Sequence, residues 1–298
     1  MASKNIRIYL ADGTATGLRH AEIVNWTGQA LAIPRNRISE LAQWAEILRP
    51  GVYFLFGETE NSEKPIVYIG ESENVRHRLL QHVKSKDFWN LAIAFTSKDE
   101  NLTKSHIRYL ESRAIEVAQN AKRYEVMNST TTQLASLPRA DRDSMEEFFQ
   151  NLKVLLGTLG HKVLEPLVKP KQPDQEALVA HIDSNILRFE STAFSARGLQ
   201  TDEGFIILKD STISTVVSPS ITQPLNSLRE EAEKSGKIKR EGEKAFLVED
   251  ILFSSPSYAA SFVAGNSRNG RISWKNNQGE TLRELEEQAV KVQDDLEN

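Results

Sequence analysis

Gly51-Val52-Tyr53-Phe54-Leu55-Phe56 and, after a polar turn, Pro65-Ile66-Val67-Tyr68-Ile69-Gly70 are the stretch on which the reading of this chain turns. Both runs are short, apolar and rich in β-branched or aromatic residues, and the segment between them is too short and too polar for a helix. They predict a hairpin with one tyrosine on each arm. Beyond it, Ser72 stands where it would cap a helix with Glu73 in the first turn, and Arg78 and His82, four residues apart, share a face of that helix. A third strand is expected over 88–96 and a second helix near 102–121.

Glu111 is the most informative residue of that second helix. Ile107, Leu110, Ala114, Val117 and Ala118 recur at spacings of three and four, and Glu111 lies four after Ile107 and three before Ala114, on the inward stripe. Carboxylates are seldom buried unless paired or bound to a metal, so Glu111 calls for a partner. The competing reading is a surface glutamate paired with Arg108 or Arg113. Two tyrosines, an arginine, a histidine and a carboxylate form a set suited to phosphodiester chemistry.

The spaced set Gly51-Val52-Tyr53, Tyr68-Ile69-Gly70, Arg78 ten and His82 fourteen positions past Tyr68, then Glu111 and Asn128, resembles the GIY-YIG nuclease family. The match covers the second quarter of the chain, and six positions on strand, strand, helix and helix are far more specific than one tripeptide. Val52 replaces the family's isoleucine, a harmless change in a strand. Glu71 stands where the excision-repair members carry a lysine. The resemblance implies an α/β fold, a small three-stranded mixed sheet flanked by helices, and a metal-dependent endonuclease.

In such a site Glu111 would hold one Mg²⁺ or Mn²⁺, Arg78 would bind the phosphate through its planar fork, and one of Tyr53 and Tyr68 would be the general base. Which tyrosine stays open. His82 would hold a tyrosine or take its proton, although a lone helical histidine is more often structural. The Asn128 amide is expected on a backbone group or an active-site tyrosine. His77 and His106 read as surface residues.

The remaining sequence sets limits. The chain has 298 residues, 39% hydrophobic, enough for two small domains with real cores. It has no cysteine, which excludes disulfides and thiolate chemistry, and no apolar run near the roughly 20 residues of a membrane helix. No signal-peptide pattern opens it, so a cytoplasmic setting without membrane contact is expected. A net charge of −4 argues against a broad basic coat, and residues 51–128 hold eleven basic and eleven acidic side chains. Nucleic-acid contact, with DNA favoured over RNA, then rests on local patches. Arg35 and Arg37, near Trp26, are one candidate for phosphate contact, against the commoner reading as a solvated loop.

The expected organisation is an N-terminal extension of strand and helix (1–49), the nuclease-like domain (50–135), a helical connector (136–168), a linker (169–180) and an α+β accessory domain (181–298). In the extension, Ser39 would cap a helix whose face carries Leu41, Trp44, Ala45 and Leu48. In the last part, paired strands are expected over 186–208, Ser255-Pro256 starts a helix, and Asn269-Gly270 makes a tight hairpin turn. That ending looks like an accessory domain of unknown function that accompanies some bacterial GIY-YIG proteins. The alternative to an enzyme is a non-catalytic nucleic-acid-binding or regulatory protein on the same scaffold.

Overall fold

The computed structural model describes residues 3–58, 64–128, 135–167 and 185–288. The chain divides into two compact units, Met1–Pro166 and Leu167–Asn298. The expected linker over 169–180 lies outside the described residues.

The first unit is a mixed sheet of seven strands, not three. Strands β1 (Ile6–Leu10), β2 (Arg19–Ile23) and β3 (Gly28–Pro34) precede β4 (Gly51–Gly57), β5 (Ile66–Ser72), β6 (Trp89–Ser97) and β7 (Glu125–Val126), in the spatial order β1-β2-β3-β6-β4-β5-β7. Only the β5–β7 pair is parallel. The expected N-terminal extension is thus part of the sheet, because β3 reads Gly-Gln-Ala-Leu-Ala-Ile-Pro and is buried on both faces alongside β6. Its alternation is between two cores rather than between core and water.

Residue parity sorts those cores. Val52, Phe54, Phe56, Val67, Ile69, Ile93 and Phe95 face one side, where α2 (Lys104–Ala121) and α3 (Arg139–Thr158) pack. Tyr53, Leu55, Ala92 and Ala94 face the other, with Val75 and Leu79 of α1 (Val75–Ser85). The segment expected as a helical connector therefore belongs to the first unit's core, through Phe148, Phe149, Leu152, Leu155 and Leu156 of α3.

Two local expectations are corrected. The N-cap of α1 is Asn74, whose side chain accepts from the His77 N–H, while Ser72 ends β5 and donates to the Asn74 carbonyl. The helix expected after Ser39 is instead two 3-10 segments, Arg35–Gln43 and Ala45–Leu48, interrupted by extended Trp44. Ile38, Leu41, Trp44 and Ile47 pack into the same core at steps of three, the 3-10 repeat, whereas Leu48 is exposed. By contrast α2 starts as the sequence suggests, with Thr103 and His106 forming a capping box.

The second unit holds two antiparallel sheets. One is ordered β14-β10-β9-β8, from β8 (Leu187–Ser191), β9 (Phe194–Thr201), β10 (Gly204–Ile207) and β14 (Ile251–Phe253). The other, β11-β13-β12, comprises β11 (Thr212–Ile213), β12 (Ile238–Glu241) and β13 (Lys244–Leu247). The unit also contains helices α4 (Gln223–Lys234), α5 (Pro256–Ala264) and α6 (Gly270–Ser273). Ser255 caps α5 as expected. Asn269-Gly270 is no hairpin turn: Asn269 caps α6, and Gly270 lies so close to the Pro256 backbone that a Cβ would not fit. Buried Arg229 donates to the carbonyls of Phe262 and Ser214, closing the end of α5.

Candidate active site

The β4–β5 hairpin pairs Tyr53 with Gly70 and Leu55 with Tyr68. Both tyrosines share the face covered by α1, and α1 places Arg78 and His82 above them one turn apart. Gly70 is needed for this: a Cβ there would collide with the Tyr53 hydroxyl. The ring centroids of Tyr53 and Tyr68 stand 6.4 Å apart, and His82 lies 5.5 Å from the first and 5.4 Å from the second.

Tyr53 is fully buried and its hydroxyl is 2.8 Å from His82 Nε2. The nearby Tyr53 and Tyr68 hydroxyls raise the proton affinity of Arg78, whose guanidinium donates to Gln81 Oε1 at 3.0 Å. His82 Nδ1 is buried and has no hydrogen-bond partner among the described residues. Burial, with Arg78 and Lys86 nearby, depresses the His82 pKa to about 4, so the ring is neutral at physiological pH. Burial likewise drives the Tyr53 pKa upward, against the opposing pull of Arg78. Tyr68 is only part-buried, and the Lys86 ammonium sits 4.2 Å above its ring.

Glu111 reaches the site from α2, on the opposite side of the sheet, at the free edge of β5. Strand β7 is two residues long and leaves that edge open past Val67. Asn128 continues where β7 stops: its Oδ1 accepts from the Ile69 N–H at 3.1 Å and its Nδ2 donates to the Ile69 carbonyl at 2.7 Å. Of the two partners foreseen for Asn128, the backbone is the one it has. The Glu111 carboxylate lies beside the Glu71 backbone, and its negative charge is felt at Tyr53. Desolvation, followed by the charge of Glu71, raises the Glu111 pKa to about 7, with Lys104 and Arg108 pulling against them. Arg113 is held by Glu146 and Glu116 instead.

Two participants escaped the sequence reading. Lys104 places its ammonium 2.8 Å from both carboxylate oxygens of Glu71, screening that acid beside Glu111. Lys104 and Glu111 are seven residues apart on one helix and so share a face, a signal available from spacing alone. Lys86 over Tyr68 had no such signal.

Arg35 and Arg37 are engaged elsewhere. Arg35 donates to the carbonyls of Val83 and Lys86 at 3.0 and 2.6 Å, capping the end of α1, and lies over the Trp89 ring. Arg37 pairs with Glu40 and Asp12.

No group of three or more His, Asp or Glu side chains converges on a metal position among the described residues. One carboxylate completed by water and phosphate oxygens is nevertheless a common Mg²⁺ arrangement, and Glu111 fits it, since the Lys104 ammonium is committed to Glu71.

Residues 187–286 match the model of a domain of unknown function, DUF4357. The match lies within the second unit and leaves the hairpin and its site outside it. No curated protein and no solved structure matches the chain. Among the described residues no helix is long and apolar enough to cross a membrane.

Proposed function

We propose that the first unit is a GIY-YIG-type, metal-dependent endonuclease that hydrolyses phosphodiester bonds in DNA. The observation that carries this reading is the convergence of Tyr53, Tyr68, Arg78 and His82 on one face of the hairpin, with Glu111 at the adjoining strand edge. Arg78 binds the scissile phosphate and balances the charge that builds on its oxygens. Tyr68, the more accessible phenol, takes the proton of the attacking water, while buried Tyr53 and neutral His82 hold Arg78 in place. Glu111 would hold Mg²⁺ or Mn²⁺, which when bound supplies positive charge at the phosphate and lowers the pKa of water. Asn128 keeps the edge of β5 straight at Ile69, beside Tyr68.

Incubation of the full chain with supercoiled plasmid, with Mg²⁺ and with excess chelator, tests the proposal. Nicking or linearisation is expected with Mg²⁺ and none in chelator. Cleavage that persists in chelator removes the metal from the mechanism. Binding without cleavage at any divalent ion concentration favours the non-catalytic nucleic-acid-binding reading, for which the net charge of −4 gives no extra support.

A further inference from the structure

A groove of ≈ 580 Å³ lies in the second unit between β8 and the turn after α6, lined in part by Arg188, Lys275, Asn277, Ile272 and Glu190. Its volume falls within the range of small-ligand sites. The groove begins where Lys275 pairs with the outer edge of β8. Arg188 N–H donates to the Lys275 carbonyl at 2.7 Å, and Lys275 N–H returns a bond to the Arg188 carbonyl at 2.9 Å. In such an antiparallel hydrogen-bonded pair the two side chains leave the same face, close together.

Two cations are thus set directly opposite each other, an arrangement that costs stability unless an anion lies between them. Among the described residues neither cation forms an ion pair, although the Glu190 carboxylate also lines the groove. Arg188 Nε donates to neutral Asn277 Oδ1 at 3.0 Å. The Lys275 ammonium has no hydrogen bond or ion pair among the described residues, although its charge is felt at Glu284. Glu190 accepts from the Ser195 hydroxyl, Glu280 is held by Asn276 and Gln288, and Glu284 accepts from Thr281. On the other wall Ile272 is 51% exposed, an apolar surface beside the charged pair.

We propose that this groove binds a nucleotide unit, its phosphate between Arg188 and Lys275, its base against Ile272 and within reach of the Asn277 amide. A positively charged groove for the backbone beside a surface for the bases is what a single strand requires, and here Ile272 offers an apolar face in place of an aromatic ring. The site shares no residue with the candidate active site and does not depend on cleavage. A free nucleotide and a strand carry the same chemistry, and the experiment separates them.

Fluorescence anisotropy of a labelled oligothymidylate, titrated with the full chain in chelator, tests the proposal. Arg188→Ala combined with Lys275→Gln should weaken binding at least tenfold, and the loss of two phosphate contacts should flatten the log–log salt dependence by roughly 1.4. Ile272→Ser should weaken binding without changing that slope. Competition by thymidine monophosphate at equal nucleotide concentration assigns the site to free nucleotides, and its failure to compete assigns it to strands. Wild-type affinity in the double variant overturns the proposal, as does equal competition by polyglutamate of the same charge. If the Arg188 change loosens the strand bridge, as thermal unfolding would reveal, the exposed Lys275→Gln change alone decides, with a loss of at least threefold expected. Plasmid cleavage in Mg²⁺ reports separately on the active site.

Discussion

The Tyr53 hydroxyl and His82 Nε2, 2.8 Å apart, form a buried neutral hydrogen bond between strand and helix beneath Arg78. Its consequence for stability has a definite sign. The folded-state pKa of His82 is depressed to about 4 from 6.5, so its contribution is present above pH 6.5 and is lost as pH falls toward 4, where only the unfolded chain accepts the proton. The loss should reach on the order of 2 kcal/mol. His161, also depressed to about 4, acts in the same direction. Urea unfolding at pH 7.5, 6 and 5 should therefore show less pH dependence in His82→Gln than in the wild type. Parallel pH profiles would mean that His82 is not held neutral.

Glu111→Gln tests the carboxylate at the strand edge. The Glu111 pKa is raised to about 7, so ionisation opposes folding as pH rises from about 4.5 through 7. At pH 8 and without metal, the variant should gain about 1 kcal/mol, allowing for partial exposure. Single-turnover plasmid cleavage at saturating Mg²⁺ should fall at least a hundredfold. A variant that cuts at the wild-type rate returns Glu111 to a surface role, and one that loses stability makes it a structural partner.

Gly70→Ala should force the Tyr53 hydroxyl from its place, at about 1–3 kcal/mol, the range for overpacking a core. Removing that oxygen leaves part of the space the methyl needs. The double variant Gly70→Ala/Tyr53→Phe should then be more stable than the sum of the single changes predicts, by about 0.5–1 kcal/mol. Strict additivity in denaturant unfolding would place the clash elsewhere.

Lys104→Met leaves Glu71 beside Glu111 without its counter-ion. Two carboxylates then repel in a partly desolvated place, which raises the Glu111 pKa further and should cost about 1–2 kcal/mol at pH 8 and less at pH 5. Adding Glu71→Gln should restore most of the loss. If Lys104→Met costs the same at both pH values, the lysine's packing rather than its charge is what matters.

The hairpin, α1 and α2 were legible because their signals are local: two β-branched runs, an Arg–His pair one turn apart, and a carboxylate on an apolar stripe. Partners over long distances in sequence were not. Nothing near Arg35 indicates that it closes the end of a helix some fifty residues later, and its pairing with Arg37 suggested a phosphate patch. Ile38, Leu41, Trp44 and Ile47 could be fitted to either helical repeat, and packing chose the tighter one. The Asn269-Gly270 pair fits a hairpin turn in isolation; the neighbouring Pro256 backbone makes it a helix start. Of the site itself, the residues were readable, but the strand edge that gathers Glu111 and Asn128 was not, because the brevity of β7 leaves no trace in composition.

The seven-residue ladder between β3 and β6 decides where this protein can be cut. Trimming the chain to residue 50, the start suggested by the motif alone, would strip the outer side of β6 and expose a row of unanswered N–H and C=O groups flanked by Ala92, Ile93, Ala94 and Phe95. Such a margin templates pairing between molecules and hence aggregation. The same cut removes Arg35, so the helix carrying Arg78 and His82 would fray from its far end. A precipitating or inactive fragment of that kind would report a torn sheet and carry no information about the chemistry of Tyr68 or Glu111.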